Sequence, residues 1–419
     1  MGEPDARRAL LPSGDFEALG ERGVLLSLEN SQLLYTNKDF AMRFCLLNTF
    51  FPPMHFGGDA VFTASLANLL AENGHHVEVV HCADSFSLLR GNVSPSPFPL
   101  HPSVIVHTLH SPFGKLAPLM AHCTGRDGLH AEALREILSA GFDVTHWHNA
   151  SLLGAPAAFR WGTGVRLMTL HEYWLVCPSH VLMRNGEERC TRRTCYRCTM
   201  NRGRPPQFWR RDGVVTNGLE NIDLFLAPSL FVKETISQYL PRLPIAVLPN
   251  FVPNRHAPEV PRESFYLVVG RLEHLKGIHT ILPLFRDNGL PLKSAGTGEA
   301  EGRLRKLAAG APNIEFLGRV SYDELPSLFR RAKATIVPSI CDETFGLVVL
   351  ESLQQGTPVY VTPYGALPEL AARTSGVRVF QSPEELGAML GDETPVRADL
   401  SAFAPQAHLE QYLRLIGPK

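Results

Sequence analysis

Three stretches of the 419-residue chain combine charge with glycine at points where a buried strand gives way to a helix. The first is Gly270-Arg271-Leu272-Glu273-His274-Leu275-Lys276-Gly277. It places two cations in a turn at the carboxyl end of a strand. A diphosphate held there needs positive charge, the more so as its leaving oxygen gains negative charge during group transfer. The second is the block Pro338–Glu351. Glu343 sits in its loop and is suited to accept hydrogen bonds from sugar hydroxyls, and Thr344-Phe345-Gly346-Leu347 is expected to open a helix whose N–H groups face a phosphate. Glu351 follows Glu343 by eight residues, about two helical turns, so it returns to a similar face and suits a ribose diol. The third is Gly57-Gly58 between a strand and a helix, where the missing side chains let backbone approach a ligand.

Histidines add a second kind of chemistry. His171-Glu172 follows the strand 165–170 and is expected to face a cleft, where His171 could donate to a sugar hydroxyl or an oxyanion. His146 and His148 form an HxH pair that is a weak metal signal. No DxD occurs in the strand-end loops, so no catalytic metal is expected. Four of the eight cysteines fall together, as Cys177, Cys190, Cys195 and Cys198, with spacing C-x12-C-x4-C-x2-C. Four thiolates can hold zinc tetrahedrally with no open position, which points to a structural role. An iron–sulfur cluster, redox disulfides or four reduced thiols in a loop are the other readings of the same spacing. The segment is rich in arginine (Arg184, Arg189, Arg192, Arg193 and Arg197, then Arg202 and Arg204) and has few apolar residues for a core of its own.

The elements that must position these groups follow from hydrophobic periodicity. A buried strand is expected at 42–48, a helix at 60–73 and a strand at 76–81, the strand–helix–strand order of a parallel sheet. Further strands are expected at 104–109, 144–147, 166–170 and 224–227. A second series follows at 265–269, 292–295, 314–317, 334–337 and 358–361, with helices near 276–285, 299–309, 322–331 and 344–355. The chain therefore divides into an appendage (1–39), a first Rossmann-like domain (40–245) carrying the cysteine-rich insertion (177–204), a second such domain (246–400), and a final helix (401–419) expected to return to the first. Two α/β domains facing each other make a deep cleft between the carboxyl ends of their sheets, where open α/β sheets bind ligands.

Composition narrows the function classes. Forty basic against 41 acidic residues give a net charge of -1, with no global pull toward nucleic acid. No apolar run has the length of a spanning helix, and the first 15 residues lack a signal-peptide core, so the expected compartment is the cytoplasm. Absence of GxGxxG and of GxxxxGK[ST] argues against dinucleotide and P-loop sites.

In order along the chain, Gly57-Gly58, His171-Glu172, 270–277 and 338–351 resemble the retaining family 4 glycosyltransferases with the GT-B fold. Lys293–Gly298, Asn313–Gly318, Gly356-Thr357-Pro358-Val359 and Gly365-Ala366-Leu367-Pro368-Glu369 match the same family, over about residues 42–390. One departure is Ala366, where the family often has a second glycine. The resemblance implies an enzyme that moves a hexose or N-acetylhexosamine from a UDP- or GDP-linked sugar to a hydroxyl of a glycan, a lipid-linked acceptor or a small molecule. Arg271 and Lys276 would neutralise the diphosphate, with Gly57 or Gly58 approaching it from the first domain. Glu343 would hold donor-sugar hydroxyls beside the N–H groups of Phe345, Gly346 and Leu347. Glu351 would hold the ribose, Gly318 and Val320 would line the base pocket, and His171 would stand beside the reacting sugar. A phosphorylase or nucleotide-sugar epimerase of the same fold, or a non-catalytic carbohydrate-binding protein, are the rival readings. Peripheral contact with a membrane is compatible with all of them, and the sequence does not set the oligomeric state.

Overall fold

The computed structural model describes residues 41–89, 94–211, 213–391 and 393–417. The proposed appendage (1–39) lies outside these residues. The first sheet is built from β1 (Arg43–Leu47), β2 (His76–Cys82), β3 (Ile105–Leu109), β4 (Val144–Trp147) and β5 (Val165–Thr169). After a small hairpin of β6 (Met183–Arg184) and β7 (Glu188–Arg189), the same sheet continues with β8 (Leu224–Ala227) and β9 (Ile245–Val247). Its seven strands run parallel in the order β3-β2-β1-β4-β5-β8-β9. The second sheet contains β10 (Tyr266–Val269), β11 (Leu292–Ala295), β12 (Ile314–Gly318), β13 (Ala334–Val337), β14 (Val359–Val361) and β15 (Val377–Val379). It is also parallel, in the order β12-β11-β10-β13-β14-β15. These are the two Rossmann-like α/β layers of the GT-B fold.

β1 shows why the first sheet is covered on both sides. Its residues alternate in direction. Cys45 and Leu47 enter one apolar cluster with Trp147 and Phe159, whereas Phe44 and Leu46 enter another with Leu66 and Leu70 of the helix Gly58–Glu72. A strand buried on both faces has to be apolar at every position after its first, and Phe44 to Leu47 are. The helix Pro405–Ile416 puts Leu409 and Tyr412 into the cluster of Phe44 and Leu46, so the end of the chain packs on the first sheet.

Strand order reverses direction between β1 and β4 in one sheet and between β10 and β13 in the other. Such switch points open a crevice at the carboxyl ends of the strands. The loops holding Gly57-Gly58 and His148 leave β1 and β4. Those holding Lys276 and Glu343 leave β10 and β13. Topology alone therefore gathers these residues at two crevices.

Element ends differ from the periodicity reading. Helices expected at 276–285, 299–309, 322–331 and 344–355 occupy Ile278–Asn288, Glu301–Leu307, Leu325–Arg331 and Leu347–Gln354. β9 and β15, three-residue strands at the edges of their sheets, have no counterpart in that reading.

Candidate active site

The two donor-side loops meet because glycine allows them to. Gly277 has φ 67°, and a Cβ there would stand 1.8 Å from the Pro338 carbonyl oxygen. Only a residue without a side chain lets the turn after β10 press this closely on the loop after β13. The result is an ion pair: Lys276 Nζ donates to Glu343 Oε1 at 2.7 Å, and Ser339 Oγ donates to the same oxygen. Burial alone would pull Lys276 down, but the Glu343 carboxylate more than offsets it and lifts the ammonium above its usual range. Burial likewise pushes Glu343 up, and Lys276 reverses this, leaving the carboxyl below its usual range. Both groups stay charged through neutral pH. The Glu343 backbone is pinned in turn by a parallel bridge to Gly365, whose φ is 68° and whose Cβ would lie 2.2 Å from Glu343 O. Ala366 has φ -80°, a conformation open to any residue, and its N–H donates to Glu343 O at 2.8 Å. The glycine-to-alanine departure therefore falls at the position that does not need glycine.

Arg271 is half exposed and donates through Nη1 to Glu273 Oε1 at 2.6 Å, a neighbour in its own loop. It also faces the loop that follows β1. A Cβ on Gly57 would meet Arg271 Nε at 3.7 Å, and one on Gly58 would meet Leu347 Cδ1 at 3.6 Å. Gly57 caps the helix Gly58–Glu72 and Gly346, with φ 101°, caps Leu347–Gln354. The N-termini of two helices, one beside each sheet, thus approach each other beside Arg271. Unpaired N–H groups and the positive ends of two helix dipoles make this a place for a phosphate. One expectation is corrected here. The helix begins at Leu347 and not at Thr344, because the Glu343–Gly365 bridge holds the preceding chain extended. Phe345 turns its ring into an apolar cluster with Val252, Leu350 and Phe403.

Glu351 stands apart from the ion pair, in a second crevice lined by Arg255, Tyr322, Gln354 and Gln355. Burial pushes its carboxyl up to about 7, with Arg255 pulling partly the other way. The Arg255 guanidinium lies 3.6 Å over the Tyr322 ring. Gly318 ends β12 with φ 68°, and Val320 packs beside Leu267 and Val348. Arg319 between them donates to Ser94 O, in the segment before β3, at 2.8 Å, and Phe98 packs against Tyr322 at 4.6 Å.

His171 enters a cluster that its sequence position did not reveal. Its Nε2 lies 2.9 Å from His148 Nδ1, with the rings stacked at 5.2 Å, and its carbonyl accepts from Thr344 Oγ1 across the cleft at 3.0 Å. His146 and His148 do lie side by side, 4.1 Å between centroids, but the ring nitrogens of His146 are taken by Tyr412 OH and Thr169 Oγ1. Burial pulls His171 down to about 4 and holds His146 and His148 well below the usual histidine range. The cluster is neutral at physiological pH. Sequence reasoning also missed Asp59, in the first helical turn after Gly58. It accepts from Asn149 Nδ2 at 3.4 Å; burial and then Glu172 push its carboxyl up, against Arg271. Its only sequence signal was adjacency to the glycine pair.

The cysteine-rich insertion reaches the donor loops. Cys177, Cys190, Cys195 and Cys198 carry free thiols and line one small cavity. Met183 of β6 packs against Leu275 and Cys341, and Arg189 of β7 pairs with Asp342 at 2.6 Å. Elsewhere, Cys82, Asp84 and His130 form a buried trio, already tied together by the His130–Asp84 contact at 3.1 Å and by Ser111 N–H on Asp84 at 2.7 Å.

Comparison with known proteins agrees with this geometry. The family model for Glycosyltransferase Family 4 matches residues 56–255, and that for Glycosyl transferases group 1 matches residues 254–388. A D-inositol 3-phosphate glycosyltransferase of Pseudarthrobacter chlorophenolicus is 29% identical over 343 residues, covering 74% of this chain and 75% of that protein. A glycogen synthase of Mycobacterium tuberculosis is 38% identical over 117 residues, 26% of this chain and 28% of that one. An uncharacterized glycosyltransferase of Methanocaldococcus jannaschii is 32% identical over 30% of this chain, which spans about a third (34%) of that relative's length. Among solved structures, sucrose-phosphate synthase from Thermosynechococcus elongatus superposes with a TM-score of 0.68 at 17% identity, over 89% of this chain and 98% of that one. Anabaena HepE in complex with UDP and glucose superposes at 0.62 and 17% identity, over 90% and 100%. By fold the chain matches GT-B proteins, and the two halves of its sequence match the family models of the family 4 and group 1 glycosyl transferases, to which it is related.

Proposed function

We propose that this protein transfers a hexose or N-acetylhexosamine from a UDP- or GDP-linked sugar to an acceptor hydroxyl, with retention of anomeric configuration. The observation that carries the reading is the Lys276–Glu343 pair set beside two facing helix N-termini and Arg271. Cation and N–H groups suit a diphosphate, and the carboxylate beside them suits sugar hydroxyls. In this reading Lys276, Arg271 and the N–H groups near Gly58 and Leu347 take up charge as the diphosphate leaves. Glu351 and Tyr322 would receive the nucleoside, with Gly318 and Val320 at the base. His171 would offer a neutral ring to the sugar. The leaving phosphate would take the acceptor proton on the face it departs from, which gives retention.

The part 40–245 would take the acceptor, whether glycan, lipid-linked or small, and 246–400 the donor. Among the described residues no helix is long and apolar enough to cross a membrane. Free thiols at all eight cysteines suit a reducing compartment, so we place the reaction in the cytoplasm, with peripheral membrane contact where the acceptor is lipid-linked. The test is a screen of sugar nucleotides on the purified protein. Release of UDP or GDP that is lost in Lys276→Ala supports the reading. Turnover that requires free phosphate, or epimerisation without acceptor, would replace it. Binding of no sugar nucleotide at all would end it.

A further inference from the structure

The cysteine-rich insertion is built around a cavity rather than around a core. The thiols of Cys177, Cys190, Cys195 and Cys198 line one cavity, and none is joined to another. Among the described residues, the non-glycine positions with positive φ are His180 (70°), Leu182 (51°) and Asn185 (54°), all between the first two of these cysteines. Each such residue is strained and persists only where the surroundings enforce it. Asn185-Gly186, both at positive φ, turn β6 into β7, and this delivers the Asn185 N–H to Cys198 Sγ at 3.2 Å. An N–H aimed at sulfur is the outer contact that steadies a metal-bound thiolate. Arg210, clamped over the rings of Trp174 and Trp209, sits within electrostatic reach of Cys177 and Cys195 and brings positive charge beside the thiol cavity.

The same hairpin has a second face. Met183 lines the thiol cavity and also packs on Leu275 and Cys341 of the second domain. Arg189 adds its ion pair to Asp342 and lies 4.6 Å over the Tyr364 ring, and Tyr173 OH donates to Asp342 O at 3.3 Å. Leu275 adjoins Lys276, and Asp342 adjoins Glu343. The hairpin therefore touches both loops that carry the ion pair, and it touches them next to the paired residues.

We infer that Cys177, Cys190, Cys195 and Cys198 hold one zinc ion as four thiolates, and that this ion fixes the β6–β7 hairpin as a clamp on the loops of Lys276 and Glu343. Each thiol gives its proton to solvent as its zinc–sulfur bond forms. Four cysteines leave the ion no open position, so it builds the clamp and takes no part in transfer. The metal half of the inference stands by itself, and the clamp half rests on the sugar-nucleotide reading above.

The experiment begins with elemental analysis of the purified full chain. One zinc per chain, released by a mercurial thiol reagent, is expected, and replacement by cobalt should give thiolate-to-cobalt charge-transfer absorption. Iron with acid-labile sulfide, or no metal, overturns the assignment. UDP and GDP are then titrated into the wild type, into Cys195→Ser/Cys198→Ser and into Arg189→Ala. The cysteine variant should lose zinc, keep the circular dichroism of both sheets and raise the nucleotide Kd about tenfold. Arg189→Ala should keep zinc and weaken nucleotide binding in the same direction. Unchanged binding in both variants overturns the clamp. Failure of the wild type to bind either nucleotide overturns the clamp together with the sugar-nucleotide reading, while the zinc content still decides the metal site.

Discussion

Lys276 Nζ lies 2.7 Å from Glu343 Oε1 although the two residues are 67 positions apart, and each belongs to a loop on one side of the β10–β13 switch point. Neither side chain is fully buried, so the pair is both a fastening between loops and a group available to a ligand. Removing either partner leaves a poorly solvated charge. A double-mutant cycle with Lys276→Ala and Glu343→Ala should give a coupling of about 1–2 kcal/mol, less than the cost of about 3–5 for breaking a fully buried pair. Denaturant unfolding measures it. Turnover of the accepted sugar nucleotide should fall about 100-fold in Lys276→Ala. Near-full turnover in Glu343→Gln would remove an essential charge from that position.

Nucleotide binding should depend on pH through Glu351. Its carboxyl is raised to about 7, first by burial, so just below neutral pH much of it is protonated and cannot accept from both hydroxyls of a ribose. Affinity for UDP or GDP should therefore weaken as pH falls below about 7, approaching about tenfold per unit, and binding at neutral pH should release protons. Calorimetry in two buffers of different ionisation enthalpy reads this directly. Glu351→Gln should flatten the profile. For the fold alone the sign is set by the same raised value. Glu351 contributes stability that is complete below its unfolded value of about 4.5 and is lost as pH rises through about 7.

Gly277 and Gly58, each beside a different sheet, should respond differently to alanine. Gly277→Ala puts a methyl 1.8 Å from Pro338 O at a positive φ, and should lower stability by more than about 1 kcal/mol and abolish donor turnover. Gly58→Ala meets only Leu347 Cδ1 at 3.6 Å, an ordinary contact, in a helix. Its melting temperature should hold or rise, whereas its donor KM should increase because the methyl narrows the phosphate approach. Equal effects on both measurements would argue against that division of roles.

His171 should act uncharged. Burial holds it near 4, so the ring stays neutral from about pH 5 upward. The kcat profile should show no histidine transition between about pH 5.5 and 8, and His171→Ala should lower kcat without changing the profile's shape. A transition near 6.5 that vanishes in His171→Ala would contradict a neutral role.

Much of the architecture was legible because burial on two faces forces a periodic or wholly apolar sequence. Phe44–Leu47 and Tyr266–Val269 announce central parallel strands for that reason. Three-residue edge strands such as Val377–Val379 carry no such signal. Charged loops at strand ends were legible too, since glycine and charge are conspicuous after an apolar run. Asp59 was not, because a carboxylate in a first helical turn is ordinary and only its burial in the folded chain, with Glu172 and Arg271 nearby, makes it otherwise.

By itself the sequence determined the kind of chemistry: cations and glycines after one strand, a carboxylate after another, and four cysteines at metal-like spacing. Tertiary structure alone decided which of these groups meet. That Lys276 pairs with Glu343, that Gly57 faces Arg271, and that His148 shares a hydrogen bond with His171 depend on strand order and on two sheets turning their carboxyl ends together. Spacing along a chain is blind to such contacts, because they come from loops that only the sheet brings side by side.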